Sequence, residues 1–329
     1  MYRGIDVWKN SKLQLQDSKK NVFSDFQLNI FYKRYIIFEI YNSEKDMFKI
    51  IKKEVLSSVI KSFEIEAPDI AKNIKPGQFI VLRLHEKGER FPLTVAGKNL
   101  EKGTIKIIFQ TVGKSTTELG NLKEGDFIRD IVGPLGKPTE IENFGTVVAM
   151  AGGVGTAELL PVISDLLKAG NKVITIVGAR NKDLLLLQDE LKANSTELLT
   201  ATDDGSYGIK GFVTNVLADV IKREKVNIVY AIGPVPMMKA VSNMTKEYNL
   251  KTLVSLNPIM VDGTGMCGAC RVSVDKKIRF ACVDGPEFDG HLVDWDELTS
   301  RLKAFKENEK AALEKYKEIL NMECKCHKE

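Results

Sequence analysis

The 329-residue sequence has no apolar run that approaches the length of a membrane-spanning helix, which needs about 20 residues. The most apolar early stretch, residues 30–41, is interrupted by Lys33, Arg34 and Glu39. The beginning of the chain also lacks the short apolar core of a signal peptide. These absences predict a cytoplasmic protein with no membrane association.

An excess of charge of one sign is also missing. The chain has 48 Lys and Arg against 44 Asp and Glu, a formal net charge of +4. No run of basic residues interleaved with aromatic residues is present, so the sequence gives no support for nucleic-acid binding. Hydrophobic and charged contents of 43% and 28% are those of an ordinary globular protein, and the length fits two or three domains.

Cysteine is scarce, but its distribution is uneven. Three of the five cysteines, Cys267, Cys270 and Cys282, lie within residues 262–282. An odd number of cysteines clustered in this way favours metal ligation in a reducing compartment over a disulfide framework. Thiolates are soft ligands that suit iron–sulfur clusters or zinc.

The spacing of these cysteines favours a [2Fe–2S] cluster. A plant-type loop has the pattern C-x4-C-x2-C with a fourth cysteine further on. Cys267, Cys270 and Cys282 fill the second, third and fourth positions, and Asp262 stands in the first. Because a carboxylate can also ligate iron, Asp262 and the three cysteines form a complete four-ligand candidate site.

Zinc is the alternative interpretation of the same cysteines. A C-x2-C pair also fits zinc, which normally takes a second close pair of ligands. Cys324 and Cys326 could supply that pair, although they lie in a charged tail. A separate alternative is that Asp262 simply caps a turn and that Cys324 or Cys326 is the fourth ligand.

Composition divides the chain into five segments. Residues 1–46 are rich in Lys, Asn and aromatic residues and show no period of 2 or 3.6. We favour the interpretation that they are an extension upstream of a natural start at Met47. The alternative is an additional segment that docks on the body of the protein.

Residues 47–141 contain many short strand-like stretches separated by turns, the last of them over Asp126–Val132. This spacing predicts a small antiparallel barrel. Residues 142–252 alternate apolar strands with helices, which predicts a parallel α/β sheet. The cysteine-rich segment covers residues 253–291. A C-terminal helix and tail cover residues 292–329, with one long charged helical stretch over Asp294–Met322.

A glycine-rich turn opens the first helix of the α/β segment. Gly152, Gly153, Gly155 and Thr156 follow an apolar strand directly. Glycines permit a tight turn, and the helix N-terminus favours an anion such as pyrophosphate. The spacing is not that of the G-x-G-x-x-G motif, so a plain strand–helix turn is the alternative.

Other predicted strands of this sheet also end in residues suited to a dinucleotide. Gly178 and Arg180 end the second strand, and Gly233 ends a later one. Ligands bind at the carboxyl ends of strands in such sheets. Asp203 and Asp204 stand at another strand end, where they would accept ribose hydroxyls and repel a 2′-phosphate.

Two stretches of the barrel have the chemistry of anion sites. The first contains Arg90, Pro92, Leu93 and Thr94, in which a fixed guanidinium suits phosphate. The second is a predicted helix start with backbone N–H groups and hydroxyls available to an anion. It contains Gly113, Lys114, Ser115 and Thr116. Either stretch could also be an ordinary surface turn.

Taken together, these motifs resemble the ferredoxin–NADP reductase superfamily over Met47 to about His291. Arg90 to Thr94 resembles its flavin motif, which implies that Arg90 binds FAD phosphate and that Thr94 lies near the flavin ring. Gly113 to Thr116 resembles a second FAD phosphate loop, and Gly152 to Thr156 resembles the nicotinamide-dinucleotide loop. The segment 47–141 is then an FAD domain and 142–252 an NAD domain.

The cysteine loop narrows the resemblance to chains like the dihydroorotate dehydrogenase electron-transfer subunit. Within that group, Asp262 in place of the first cysteine resembles the small (alpha) subunits of NADH-dependent reduced ferredoxin:NADP oxidoreductases, also called sulfide dehydrogenases. This resemblance implies an oxidoreductase subunit that passes electrons between NAD(H), FAD and a [2Fe–2S] cluster. No catalytic acid or base is expected, because the cofactors carry the chemistry.

The resemblance also implies a partner. It would be a larger flavin and iron–sulfur subunit, similar to the glutamate synthase small subunit, which uses NADP and couples to ferredoxin in a heterodimer. The alternative within the same fold is the electron-transfer subunit of NAD-dependent dihydroorotate dehydrogenase. A non-catalytic NAD sensor with bound zinc is the rival from another class.

Overall fold

The computed structural model describes residues 47–326, with the side chains of residues 47–321. The interpretation of residues 1–46 as an extension therefore lies outside the described residues. The same holds for Cys324 and Cys326 as metal ligands. Among the described residues, no helix is both long and apolar enough to cross a membrane.

The first part of the described chain folds as an antiparallel sheet. Its elements are β1 (Phe48–Val55), β2 (Ile60–Glu66), α1 (Pro68–Asn73), β3 (Phe79–Arg83), β4 (Arg90–Asn99), β5 (Thr104–Gln110), α2 (Lys114–Asn121), β6 (Phe127–Ile128) and β7 (Asp130–Leu135). The strands pair in the order β6-β1-β2-β5-β4-β3-β7. Side chains with a period of two, such as Ile105, Ile107 and Phe109, fill the space that the sheet encloses.

The two edges of this sheet meet at Arg129. That residue alone separates β6 from β7, which lie at opposite edges of the sheet. The chain therefore brings both edges together and the sheet nearly closes, which confirms the predicted antiparallel barrel. The single strand expected over Asp126–Val132 is wrong in detail, because its first part pairs with β1 and its second part with β3.

The next part is a parallel sheet with helices. Its elements are β8 (Thr146–Gly152), α3 (Gly155–Lys168), β9 (Lys172–Ala179), α4 (Gln188–Ala193), β10 (Glu197–Thr202), β11 (Ile209–Lys210), α5 (Val213–Arg223), β12 (Ile228–Ile232), α6 (Val235–Glu247) and β13 (Lys251–Ser255). From Val147 to Gly152, every residue of β8 is buried. Such a strand is covered by helices on both faces. The predicted α/β fold is confirmed.

The cysteine-rich segment packs beside this sheet. Its elements are β14 (Arg271–Val274), β15 (Lys277–Phe280), α7 (Ala281–Asp284) and β16 (Glu287–Asp289). The helices α8 (Trp295–Lys303) and α9 (Lys306–Cys326) follow it. β14 and β15 form a hairpin. β16 pairs antiparallel with β13, so the segment supplies the last strand of the parallel sheet.

The single helical stretch expected over Asp294–Met322 is divided in two. α8 ends at Lys303 and α9 begins at Lys306. α8 packs on the cysteine-rich segment, whereas α9 reaches the barrel, where the Asn121 amide donates to the Tyr316 hydroxyl over 3.3 Å. Because of this break, α8 and α9 contact different parts of the protein, the cysteine-rich segment and the barrel.

Candidate functional site

The glycine-marked strand ends meet at one edge of the parallel sheet. Gly152 at the end of β8 is the register partner of Gly178 in β9. Gly233 follows β12, and a side chain added to it would meet the Gly152 nitrogen at 3.0 Å. The structure therefore brings all three glycines together at the carboxyl ends of the strands, where open α/β sheets bind ligands.

Two further glycines of this turn, Gly155 and Gly153, have different structural reasons. A Cβ at Gly155 would lie 2.7 Å from the carbonyl oxygen of Ile232, a backbone atom that cannot easily move. Gly153 has a φ of +59° and no heavy atom within 4 Å of a built Cβ. The turn thus combines a left-handed residue with a close contact, and it leaves open space before the N-terminus of α3. This arrangement fits a phosphate group.

The acidic residues after β10 form a loop that pairs with the end of β9. The Asp203 and Asp204 amides donate to the carbonyls of Ala179 and Arg180 over 3.1 and 3.3 Å. The Asp204 carboxylate accepts hydrogen bonds from the Ser206 amide (2.9 Å) and hydroxyl (2.6 Å), which lower its pKa. Asp204 therefore stays ionised and stabilises its own loop, while exposed Asp203 is available to a ligand.

Basic and aromatic groups border these carboxylates. Arg180 is exposed beside them. The Lys182 ammonium lies 5.9 Å from the centre of the Tyr207 ring. The Asn181 amide oxygen is buried, and it has no hydrogen-bond partner among the described residues. A buried acceptor without a donor at this strand end fits a ligand that brings one. The sequence prediction missed Asn181, since a lone asparagine gives no motif.

The proposed flavin motif lies on β4 and faces the parallel sheet. Thr94 pairs with Phe79 of β3, and its hydroxyl is hydrogen-bonded to the Glu158 carboxyl in the first turn of α3. Glu158 as a whole residue is partly exposed, but its carboxyl group is buried. This burial raises the pKa of the carboxyl group to about 7, although the bond from Thr94 lowers it. The structure thus joins the strand of the flavin motif to the helix that follows the dinucleotide loop.

The sequence prediction did not include Glu158. An acidic residue in the first turn of a helix is usually explained by the helix dipole. Nothing in the local sequence shows that it would face another domain.

The second anion loop of the barrel is the N-terminus of α2. The Thr116 hydroxyl accepts from the amides of Val112 and Gly113, each over 3.1 Å. The Ser115 hydroxyl donates to the Glu89 carboxylate over 2.5 Å, which places this loop beside Arg90 of β4. Gly113 has no atom within 4 Å of a built Cβ, so space for a phosphate remains there.

The cysteine loop runs from Asp262 to Cys270 with three glycines, Gly263, Gly265 and Gly268, in left-handed conformations. One Asp262 carboxylate oxygen accepts from the Thr264 amide (2.8 Å) and the other from the Cys267 amide (3.0 Å). These bonds lower the pKa of Asp262. The loop therefore wraps around an ionised carboxylate.

The cysteines themselves differ in exposure. Cys270 and Cys282 are buried with their sulfurs 3.2 Å apart, and Cys267 is exposed. Burial, together with the bond from Cys270, raises the pKa of Cys282 to about 12. Among the described residues, no three Cys, His, Asp or Glu side chains converge closely enough to hold a metal. The donor set nevertheless fits an iron–sulfur group, because two paired sulfurs face a loop that carries a third thiol and a carboxylate.

Three families of known domains match the chain in succession. An oxidoreductase FAD-binding domain matches residues 47–139, and an oxidoreductase NAD-binding domain matches residues 150–243. The iron–sulfur cluster binding domain of dihydroorotate dehydrogenase B matches residues 257–294. The barrel and the cysteine loop described above fall within the first and third ranges, and the NAD-binding range covers the parallel-sheet region from within β8 to within α6.

Curated relatives and solved structures cover most of the same residues. A homologue of the dihydroorotate dehydrogenase B (NAD(+)) electron transfer subunit from Thermotoga maritima is 51% identical over 268 residues, which are 82% of this chain and 95% of the relative. A probable subunit of this kind from Methanocaldococcus jannaschii is 38% identical over 241 residues, 72% of this chain and 88% of the relative.

Among solved structures, a chain of an NADH-dependent reduced ferredoxin-NADP oxidoreductase, studied for flavin-based electron bifurcation, matches with 49% identity and a TM-score of 0.78. The match covers 82% of this chain and 97% of that one. A ferredoxin NADP+ reductase from Neisseria gonorrhoeae, at 18% identity and a TM-score of 0.51, covers 61% of this chain and 90% of its own. That likeness shows the fold alone.

Proposed function

The chain belongs to the family of dihydroorotate dehydrogenase B electron transfer subunits and their homologues, and from this premise we propose that it is the NADH-oxidising small subunit of a ferredoxin- and NADP-linked oxidoreductase. Its membership already makes it an electron transfer subunit with FAD-binding, NAD-binding and iron–sulfur domains. What is proposed is the cluster type, the ligands and the partner.

The observation that carries this proposal is Asp262 at the head of the cysteine loop. With Cys267, Cys270 and Cys282 it gives four donors for a [2Fe–2S] cluster. Both carboxylate oxygens already point into the loop, where they receive the amides of Thr264 and Cys267. The 49% identity to a chain of an NADH-dependent reduced ferredoxin-NADP oxidoreductase supports the same proposal.

Bound FAD would supply the chemistry that takes two electrons as hydride from NADH and delivers them one at a time to the cluster. The protein binds and orients these groups. We assign dinucleotide phosphates to the loop of Gly152, Gly153, Gly155 and Thr156, with Gly178, Arg180, Asp203, Asp204 and Gly233 around the nicotinamide dinucleotide. We assign FAD to Arg90, Pro92, Leu93 and Thr94 and to the loop of Gly113, Lys114, Ser115 and Thr116.

The burial of Cys270 and Cys282 serves this chemistry. A metal ion deprotonates a coordinating thiol even where burial disfavours the thiolate. The surrounding core, which includes Met260, Val272 and Ala281, would then keep water away from the sulfurs of Cys270 and Cys282. The apolar residues around a metal group control the access of solvent and therefore its reduction potential.

The partner in this proposal is a larger flavin and iron–sulfur subunit that resembles the glutamate synthase small subunit, with ferredoxin coupled through the complex. The second candidate is a dihydroorotate dehydrogenase catalytic subunit, which the name of the Methanocaldococcus jannaschii relative favours. Since both partners would receive electrons through the same cluster, the fold of this chain does not separate them.

The test has a cofactor part and a partner part. FAD, iron and acid-labile sulfide are measured in the purified protein, and its visible spectrum is recorded before and after NADH. We expect one FAD and one [2Fe–2S] cluster per chain, whereas zinc without acid-labile sulfide would overturn the proposal. The chain is then mixed with each candidate partner. NADH-driven reduction of NADP supports the first candidate, and NADH-driven reduction of orotate supports the second.

A further inference from the structure

α8 is held firmly against the cysteine-rich segment. The Asp294 carboxylate caps it by accepting from the amides of Asp296 and Glu297. The buried Trp295 indole donates to the Gly290 carbonyl over 3.1 Å. Leu298 is 1% exposed and belongs to the same core as the two buried cysteines. The inner face of α8 thus has a fixed position relative to the cysteine loop.

Arg301 continues that inner face. It follows Trp295 and Leu298 at intervals of three residues, so the three side chains lie on one side of the helix. The Arg301 guanidinium donates to the carbonyl oxygen of Ala269 over 3.1 Å. Ala269 lies between Cys267 and Cys270, so a cation on α8 holds the backbone between two of the proposed ligands.

An ordinary role for Arg301 would be to complement the helix dipole in the last turn of α8. Lys303 stands in the same turn and satisfies that role, since it is exposed. Arg301 is only partly exposed and reaches 32 residues back along the chain. Its position therefore indicates a function in the loop and not only at the end of the helix.

We propose that Arg301 is a positioning residue for the iron–sulfur group. Arg301 holds the Cys267–Cys270 loop in place and raises the reduction potential of the cluster. This inference rests on the proposed function, because it requires a cluster in the loop. Arg301 lies outside residues 257–294, the range that the iron–sulfur domain family matches.

Two physical effects connect Arg301 to the cluster. A hydrogen bond from a charged donor is roughly twice as strong as a neutral one, so it fixes the orientation of the Ala269–Cys270 peptide. Reduction adds one electron, and hence one negative charge, to the cluster. A nearby positive charge stabilises the reduced form more than the oxidised form, and net charge and hydrogen bonds are known determinants of cluster potential. Loss of Arg301 should therefore lower the potential and loosen the loop.

Two variants of the full chain, Arg301→Met and Arg301→Lys, test this role of Arg301. Lys303→Met, in the same helical turn, is the control. Arg301→Met removes the charge and the donor but keeps an unbranched stem, and Arg301→Lys keeps the charge. The midpoint potential is measured by a redox titration followed by electron paramagnetic resonance. Release of iron to a chelator is measured alongside. Flavin content and melting temperature report whether the fold is intact.

We expect a lower potential and several-fold faster iron release in Arg301→Met. Arg301→Lys should restore most of the potential, and Lys303→Met should match the wild type in both measurements. If Arg301→Met equals the wild type in both, the inference is overturned. If Arg301→Met loses its flavin, Arg301→Gln decides, since it keeps a donor without the charge. An unchanged potential in Arg301→Gln would then overturn the inference. A wild-type protein without iron or sulfide contradicts the proposed function itself.

Discussion

At the scale of single residues, Asp262 has two roles that can be separated. In the structure its two oxygens cap the loop, and in the proposed function one of them also binds iron. Asp262→Asn keeps an oxygen acceptor for only one of the two loop amides, and its neutral amide is a much weaker ligand for iron. Asp262→Ala removes both functions. Asp262→Cys supplies a thiolate, which donates more electron density than a carboxylate.

We predict that Asp262→Ala and Asp262→Asn both lower the iron content per FAD. Asp262→Cys should keep the cluster and lower its potential, because the oxidised iron is better stabilised. Iron analysis and electron paramagnetic resonance of the reduced variants measure these effects. The control is the double change Cys324→Ser with Cys326→Ser, which should leave the signal unchanged. If Asp262→Asn gives the wild-type signal, Asp262 only caps the loop and does not bind iron.

A preference for NADH over NADPH is a second prediction at the scale of single residues. Asp203 is exposed beside the strand end, while Asp204 is engaged by Ser206. A carboxylate near a 2′-phosphate costs about 1 kcal/mol or more, so we predict faster flavin reduction by NADH than by NADPH. Asp203→Asn should narrow the ratio of the two rates by about fivefold. Stopped-flow reduction with both donors measures the ratio, and equal rates in the wild type would contradict the prediction.

At the scale of elements, local signals explain what the sequence predicted well. An apolar strand with a glycine at or next to its end can be recognised from the local sequence alone. This is why β8, β9 and β12 were predicted. Pairing at long range gives no such signal. Nothing near Glu287 indicates that β16 would add to β13, and nothing near Glu158 indicates a bond to Thr94. Arg301 was missed for the same reason, since its partner lies in another element.

The junction between β8, α3 and β12 gives a prediction at this scale. Gly155→Ala would place a methyl group 2.7 Å from the Ile232 carbonyl oxygen, so the first turn of α3 must shift away from β12. We expect a loss of about 1–3 kcal/mol in the free energy of unfolding and weaker NADH binding. Denaturant unfolding and NADH titration measure the two effects.

Gly97→Ala is the matched control for that substitution. A Cβ at Gly97 would meet only the Lys106 Cβ, at an ordinary 3.8 Å. It should leave the free energy of unfolding within about 0.5 kcal/mol of the wild type, as expected for a substitution that breaks no contact. If both variants behave alike, the close approach at Gly155 does not limit the fold.

At the scale of the whole molecule, two buried carboxyl groups link stability to pH. Burial raises the pKa of Glu158 and of Glu287 to about 7 from an ordinary value of 4.5. The Glu287 carboxylate accepts from the Thr139 hydroxyl over 2.5 Å, which joins the end of the FAD-binding segment to β16. Between the ordinary pKa of 4.5 and the raised pKa of about 7, the folded state binds more protons than the unfolded state. The free energy of unfolding therefore falls as pH rises through this range.

We predict that this stabilisation is complete below about pH 4.5 and is lost as pH rises through about 7. Each carboxyl contributes on the order of 1–3 kcal/mol. Glu287→Gln keeps an acceptor for Thr139 and cannot ionise, so its unfolding free energy should depend less on pH over that range. Denaturant unfolding at a series of pH values, in the wild type and in Glu287→Gln, measures the difference. Parallel curves for the two proteins would contradict the prediction.

The pairing of β16 with β13 has a consequence for how the protein is made. Residues 251–255 leave the ribosome before Glu287–Asp289, and until then the outer edge of β13 has no partner. An unpaired strand edge is a template for association with other chains, and nascent domains with incomplete sheets are prone to it. The nucleotide-binding sheet of a growing chain therefore becomes fully protected only once the cysteine-rich segment has been translated.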